Sequence, residues 1–152
     1  MKKILVFALS AFAFSTAAVA QTIEASAVPP AITTVFNAAY MNPENVKWEM
    51  DYDNYVAHFQ KNKTEMIVTY NKDGKWVMTE TPVTHKSLPA AVKSCLTRQF
   101  DIYKENDIEK VDKPDGVCYE IDVEYNQMNY VVVISENGEL VSKDQVKEYK
   151  KD

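Results

Sequence analysis

Side chains able to do chemistry are few in this sequence and poorly spaced for it. The 152 residues include two histidines, His58 and His85, and two cysteines, Cys95 and Cys118. Neither histidine has a second ligand at HxxxH or CxxC spacing, so no metal site is expected. No GxSxG turn exposes a nucleophilic serine, and neither GxGxxG nor GxxxxGK[ST] is present to cradle a phosphate. Asp51, Asp53 and Asn54, like Asn71 and Asp73, lack the spaced carboxylates and closing Glu of a calcium loop. They read instead as hairpin turns. Glu120, Asp122 and Glu124 recur at every second position; they form either a solvated edge or a lure for a basic partner. No catalytic residue and no cofactor are expected, so the chain reads as non-enzymatic.

The compartment is written at the start. Lys2 and Lys3 precede an uncharged, largely apolar run from Ile4 to Val19, which ends in Ala18-Val19-Ala20 before Gln21. A basic start, a short apolar core and a small-x-small end are the marks of a secretory signal peptide. The run is short for a membrane span, and none is expected after it. Cleavage near Ala20-Gln21 removes Lys2 and Lys3 and takes the formal charge from −5 to −7. The expected product is an acidic periplasmic or secreted protein, in a compartment poor in ATP and NAD. Nucleic acid is an unsuitable partner, because phosphate binding needs clustered Lys and Arg.

The elements that must position these side chains come in two similar sets. After a leader at 21–28, Pro29-Pro30 opens an amphipathic helix, with Ile32, Val35, Phe36, Ala39 and Tyr40 on one stripe. Strand alternation follows in Val46–Met50, Tyr55–Phe59, Met66–Tyr70 and Trp76–Met78, with turns at Lys61-Asn62-Lys63 and Asp73-Gly74. Leu88-Pro89 opens a second helix, with Val92, Cys95, Leu96 and Phe100 on its stripe. A shift of about 60 residues overlays the helices, and one of about 64 overlays the hairpins. Ile108 to Val111 is the counterpart of the first strand, with either Ile108 or Val111 facing inward. The expected architecture is α+β: a domain at 29–152 made of two tandem α-β-β-β-β units, 29–83 and 88–146. They share one antiparallel sheet, with both helices on one face and the other face open. A unit of this size has a marginal core alone, which favours fusion.

Alternation assigns the faces. Tyr55, Ala57, Phe59, Met66, Val68, Tyr70, Trp76, Tyr119, Ile121, Val123, Tyr125, Tyr130, Val132 and Ile134 should lie under the helices. The open face should carry Val56, His58, Gln60, Ile67, Thr69, Val77, Glu120, Asp122, Glu124, Val131 and Val133. Its β-branched residues serve either strand propensity or a partner-binding surface with an acidic edge. The candidate partner-binding set is Val56, His58, Ile67, Thr69, Glu120, Asp122, Glu124, Val131 and Val133. Tyr52 falls where a hairpin tip would present an aromatic anchor. Cys95 and Cys118 are either bridged, as an oxidising compartment favours, or two reduced thiols, as the outward alternation of Cys118 beside Tyr119 favours. A bridge would stabilise the chain by about 3 kcal/mol.

Taken in order, Pro30 to Tyr40, Val46-Lys47-Trp48-Glu49, Thr64 to Tyr70 with Asp73-Gly74-Lys75-Trp76, Leu88 to Val92, and Asn137-Gly138-Glu139-Leu140 resemble the PepSY-like family of exported bacterial proteins. That family is similar in fold to beta-lactamase-inhibitory protein, whose open concave sheet grips an enzyme and whose disulfides lie in places similar to Cys95 and Cys118. The resemblance implies a binding or inhibitory module, one that restrains a peptidase or another enzyme. No inhibitory loop residue can be matched, so beta-lactamase is not implied as the target. The expected partner is another envelope or secreted protein, and the alternative is a small-ligand carrier with its cavity between helices and sheet. Oligomeric state is left open. The export reading predicts that protein recovered from the cell envelope starts at Gln21 by N-terminal mass analysis; a chain retaining residues 1–20 would contradict it.

Overall fold

The computed structural model describes residues 21–146; the expected export signal at 1–20 lies outside them. Pro29 and Pro89 cap two helices, α1 (Pro30–Ala39) and α2 (Ala90–Gln99). The carbonyl of each capping proline accepts from the first turn: Thr33 N–H reaches Pro29 at 3.2 Å and Lys93 N–H reaches Pro89 at 3.1 Å. A ring fixed near helical φ, with no N–H to satisfy, suits that position.

Among the described residues, nine strands form one antiparallel sheet in chain order. They are β1 (Gln21–Ile23), β2 (Glu44–Asp51), β3 (Asn54–Lys61), β4 (Thr64–Asn71), β5 (Trp76–Pro82), β6 (Lys104–Lys113), β7 (Gly116–Tyr125), β8 (Met128–Ser135) and β9 (Leu140–Val146). The pairing of β5 with β6, from Thr79 opposite Asp112 to Pro82 opposite Glu109, fuses the two units. The fold is α+β, as expected. The internal duplication extends to its irregularities. Bulges at Thr69/Tyr70 and Val133/Ile134 are equivalent, as are those at Glu44/Lys47 and Glu105/Ile108. Asn62-Lys63 and Asn126-Gln127 both take left-handed backbone in two-residue hairpins, the conformation that matches strand twist.

Each helix covers its own hydrophobic cluster on one face of the sheet. Under α1, the Phe36 ring meets Trp48 and Phe59 edge-on, each at 5.2 Å, among Ile32, Ala57, Val68 and Tyr70. Under α2, Val92, Cys95, Leu96 and Phe100 pack on Tyr119, Ile121, Val123, Val132 and Ile134. These clusters occupy the helix–sheet interface, where the ligand-carrier reading placed a cavity. Between them, Thr79 Oγ1 lies 2.8 Å from the Tyr40 hydroxyl and accepts from Trp76 Nε1 at 2.9 Å.

The structure departs from the sequence expectations in four places. Residues 21–28 are not a loose leader: Gln21–Ile23 pairs with Trp48–Met50, and Val28 is buried in the first cluster. Val35 and Ala39 are exposed, so the buried stripe of α1 narrows to Ile32 and Phe36, with Tyr40 beside them. The strand read as Ile108 to Val111 is longer, Lys104–Lys113, and both residues are buried on opposite faces, Ile108 under α2. Trp76 is not core but 37% exposed, although at the start of β5 it stands opposite buried Tyr70 and its indole reaches Thr79.

Gly74 and Gly138 close equivalent turns with φ of +79° and +83°. An added Cβ would stand 3.7 Å from the Ile32 side chain at Gly74, but only 2.6 Å from the Ala91 carbonyl oxygen at Gly138. Both alanine substitutions meet the left-handed penalty of about 1–2 kcal/mol, and Gly138→Ala must also lift α2 off the turn. Urea denaturation should show a larger loss for Gly138→Ala than for Gly74→Ala; equal losses would contradict this packing.

Candidate functional site: a groove on the helix-free face

Strand register brings the candidate residues to one face. Val56 stands opposite Thr69, and His58 opposite Ile67. Across the second unit, Glu120 faces Val133 and Asp122 faces Val131. Both helices lie on the other side, yet the apolar residues here are hidden from solvent: Val56 is 2% exposed, Val111 4% and Val133 7%. Packed side by side across neighbouring strands, these side chains border a groove. The resulting groove has a volume of about 650 Å³. Val56, Thr69, Met78, Glu80, Val111, Cys118, Glu120 and Val133 line its floor, while Asp51, Asn54, Asn71, Lys75 and Asp115 line it from the β2–β3, β4–β5 and β6–β7 hairpins. Trp76 lines it from the start of β5. Tyr52 is 68% exposed at the β2–β3 tip.

Not every expected residue reaches the groove. His58 Nε2 lies 3.3 Å from Glu49 at the first-unit end of the face. His85 is elsewhere, with Nδ1 2.9 Å from Glu105. Glu124 is exposed beside Lys104, at 3.6 Å. Of the two readings of the cysteines, the structure has the reduced one: Cys95 and Cys118 are free. Cys95 is in the α2 cluster and Cys118 lines the groove, so the sheet itself separates them.

The structure adds residues that alternation did not assign. Met78 pairs with Thr69, Glu80 with Ile67 and Val111, and Glu109 with Glu120. The bulge between Thr69 and Tyr70 leaves Val77 as an extra residue, which turns Met78 and Glu80 to the groove face. Glu109 follows from the parity of Ile108, which the sequence alone left unsettled.

Four carboxylates consequently share one poorly solvated surface. Burial, reinforced by Glu109, pushes the Glu80 carboxyl up to about 7, and Lys113 partly offsets it. Burial also pushes Glu120 up to about 7, with Glu80, Glu109 and Asp122 adding repulsion and Lys113 opposing. Glu109 and Asp122 are raised for the same first reason, burial, with Asp107 acting on both. Burial likewise raises the Cys118 thiol, which makes it a weaker nucleophile.

A family model described as "Putative beta-lactamase-inhibitor-like, PepSY-like" matches residues 15–69 and 53–147, nearly the whole chain. The chain belongs to this PepSY-like family. A BLIP-like protein from Bacteroides fragilis is 25% identical, with a TM-score of 0.69 over 82% of this chain and 92% of that one. A DUF2874 family protein from Bacteroides uniformis shares the fold at 21% identity, with a TM-score of 0.72 over 78% of this chain and 89% of its own. A protein from Bacteroides eggerthii described among "putative periplasmic proteins" shares it at 24% identity, again with a TM-score of 0.72, over 78% and 88%. No curated protein matches the chain.

The carboxylate cluster gives this PepSY-like domain a distinctive pH dependence. In the folded chain Glu80 and Glu120 still hold protons between pH 4.5 and about 7, where the unfolded chain has released them. Their effect on stability is therefore absent below pH 4.5, grows as pH rises through that window, and is fully unfavourable above it. Glu120→Gln should raise the Tm at pH 8 and lose that advantage at pH 4, by thermal circular dichroism. A variant that is less stable at pH 8, or equally stabilised at both, would contradict the cluster.

Proposed function

We propose that this PepSY-like protein is an exported, non-enzymatic binding module that holds another envelope or secreted protein against the helix-free groove and its hairpin tips. The observation that carries this reading is a groove with buried apolar walls and like-charged carboxylates, left uncovered by both helices. Ordinary folding selects against such a surface; a binding surface retains it. The aromatic side chain of Tyr52, exposed at the rim, is suited to anchor a partner.

The finer reading is inhibition, with an enzyme as the occupant. Its support is the family description and the likeness to a BLIP-like protein. The place of action is the periplasm or the medium, after cleavage near Ala20-Gln21. The Bacteroides eggerthii relative supports this, and among the described residues no helix is long and apolar enough to cross a membrane. The carrier alternative rests on the groove volume, which falls within the range of small-molecule pockets, roughly 300–1,000 Å³.

A photo-crosslinking amino acid at Asp115, on the groove rim, should give one discrete heavier adduct in living cells. The same probe at Val35, exposed on α1, should give none. Tyr52→Ala should weaken the Asp115 adduct without altering the circular dichroism spectrum. Equal adducts from both positions, or none from the rim, would overturn the proposal, and a low-mass adduct would favour the carrier.

A further inference from the structure

The floor of the groove carries a charge problem that its own residues do not solve. Glu109 and Glu120 stand directly opposite each other on β6 and β7, and Glu80 stands beside Val111 on β5. Asp107, on β6, and Asp122, on β7, act on the same cluster electrostatically. Lys113, at the groove end of β6, offsets Glu80 and Glu120. Among the described residues none of Glu80, Glu109 and Glu120 has an ion pair within 4.0 Å. The neighbouring strands bring no cation to the row: β4 contributes Ile67 and Thr69, and β8 contributes Val131 and Val133.

A second and independent observation lies on the same face. Thr69 lines the groove and is 4% exposed, and among the described residues its hydroxyl has no hydrogen-bond partner. Ser142, opposite Val133 on β9, also has a buried hydroxyl without a partner. Buried hydroxyls left unmatched cost free energy that an incoming amide or carbonyl recovers. Beyond Lys113 and Lys75, the groove therefore lacks a positive charge to match its carboxylates, and polar groups to partner these hydroxyls, between apolar walls. A bare metal ion supplies only the first. Among the described residues, moreover, no three His, Cys, Asp or Glu side chains are placed to hold one.

We propose that the groove takes an arginine or lysine side chain presented on a protruding loop of the partner, with its charged head among Glu80, Glu109 and Glu120, its methylene stem along Met78, Val111 and Val133, and the loop backbone toward Thr69. This rests on the binding-face reading above and names the chemistry of the partner. Charge complementarity selects the loop, and its apolar stem matches walls that a free small cation would leave bare. Because burial raises Glu80 and Glu120 to about 7, docking of the cation expels protons and weakens as pH falls below that value.

The test uses 15N-labelled protein and the probe N-acetyl-Val-Arg-Leu-amide, followed by amide chemical shifts. At pH 8 the peptide should saturably shift the amides of Glu80, Val111 and Glu120. Affinity should fall by about tenfold or more at pH 5.5, and equally when citrulline, the uncharged isostere, replaces arginine. Glu80→Gln with Glu120→Gln should abolish the response while the rest of the spectrum stays native. Equal binding of the citrulline peptide would overturn the proposal, as would shifts mapping outside the groove or no response. Spermidine binding as tightly as the peptide would overturn the loop as occupant. If the rim crosslink forms but the arginine peptide fails, this inference alone falls; if the crosslink also fails, the interface reading falls with it.

Discussion

The backbone pairing of β5 with β6 is the contact on which the rest of the structure depends. Each unit alone pairs one short helix with four of its own strands, too little for an ample core. Four residue pairs, from Thr79–Asp112 to Pro82–Glu109, join them into a continuous sheet. On the helix side the junction is sealed by the Tyr40–Thr79–Trp76 hydrogen bonds and by Lys110 reaching Asp112 at 2.7 Å. On the other side the same register sets Glu80 beside Val111 and Glu109 beside Glu120. Fusion of the repeats and assembly of the acidic groove are thus one event.

Both helices lie on one face because both units present their larger residues there. Phe36 and Phe100 are the central knobs of the two clusters, each ringed by aromatic neighbours. The opposite face is built from smaller residues, Val56, Thr69, Val111, Val131 and Val133, which are buried without a helix over them. The groove lies on this helix-free face. Toward the β4–β5 hairpin, Trp76 and Lys75 line it.

Much of this was legible in the sequence. Proline pairs, helical stripes and the recurrence of Asp73-Gly74 as Asn137-Gly138 gave the duplicated α+β architecture. Plain alternation placed Val56, Thr69, Glu120 and Val133 correctly on one face. Bulges defeated it: one inserted residue near Val77 turns Met78 and Glu80 into the groove, and no residue type in that stretch announces it. Glu109 was hidden because β6 holds buried residues on both faces, Ile108 and Val111, so neither parity stood out. The cysteine pair shows the reverse: the alternation of Cys118 against Tyr119 pointed away from a bridge, and the structure agrees with it rather than with the compartment argument.

The account stands on one electrostatic claim, that Glu80 and Glu120 are desolvated together on the helix-free face. Carboxyl carbon chemical shifts followed against pH in 13C-labelled protein test it directly. The account predicts that both side chains titrate near pH 7. Titration of both near the ordinary glutamate value, about 4.3, would mean that the groove floor is solvated and the carboxylates independent, and would contradict it.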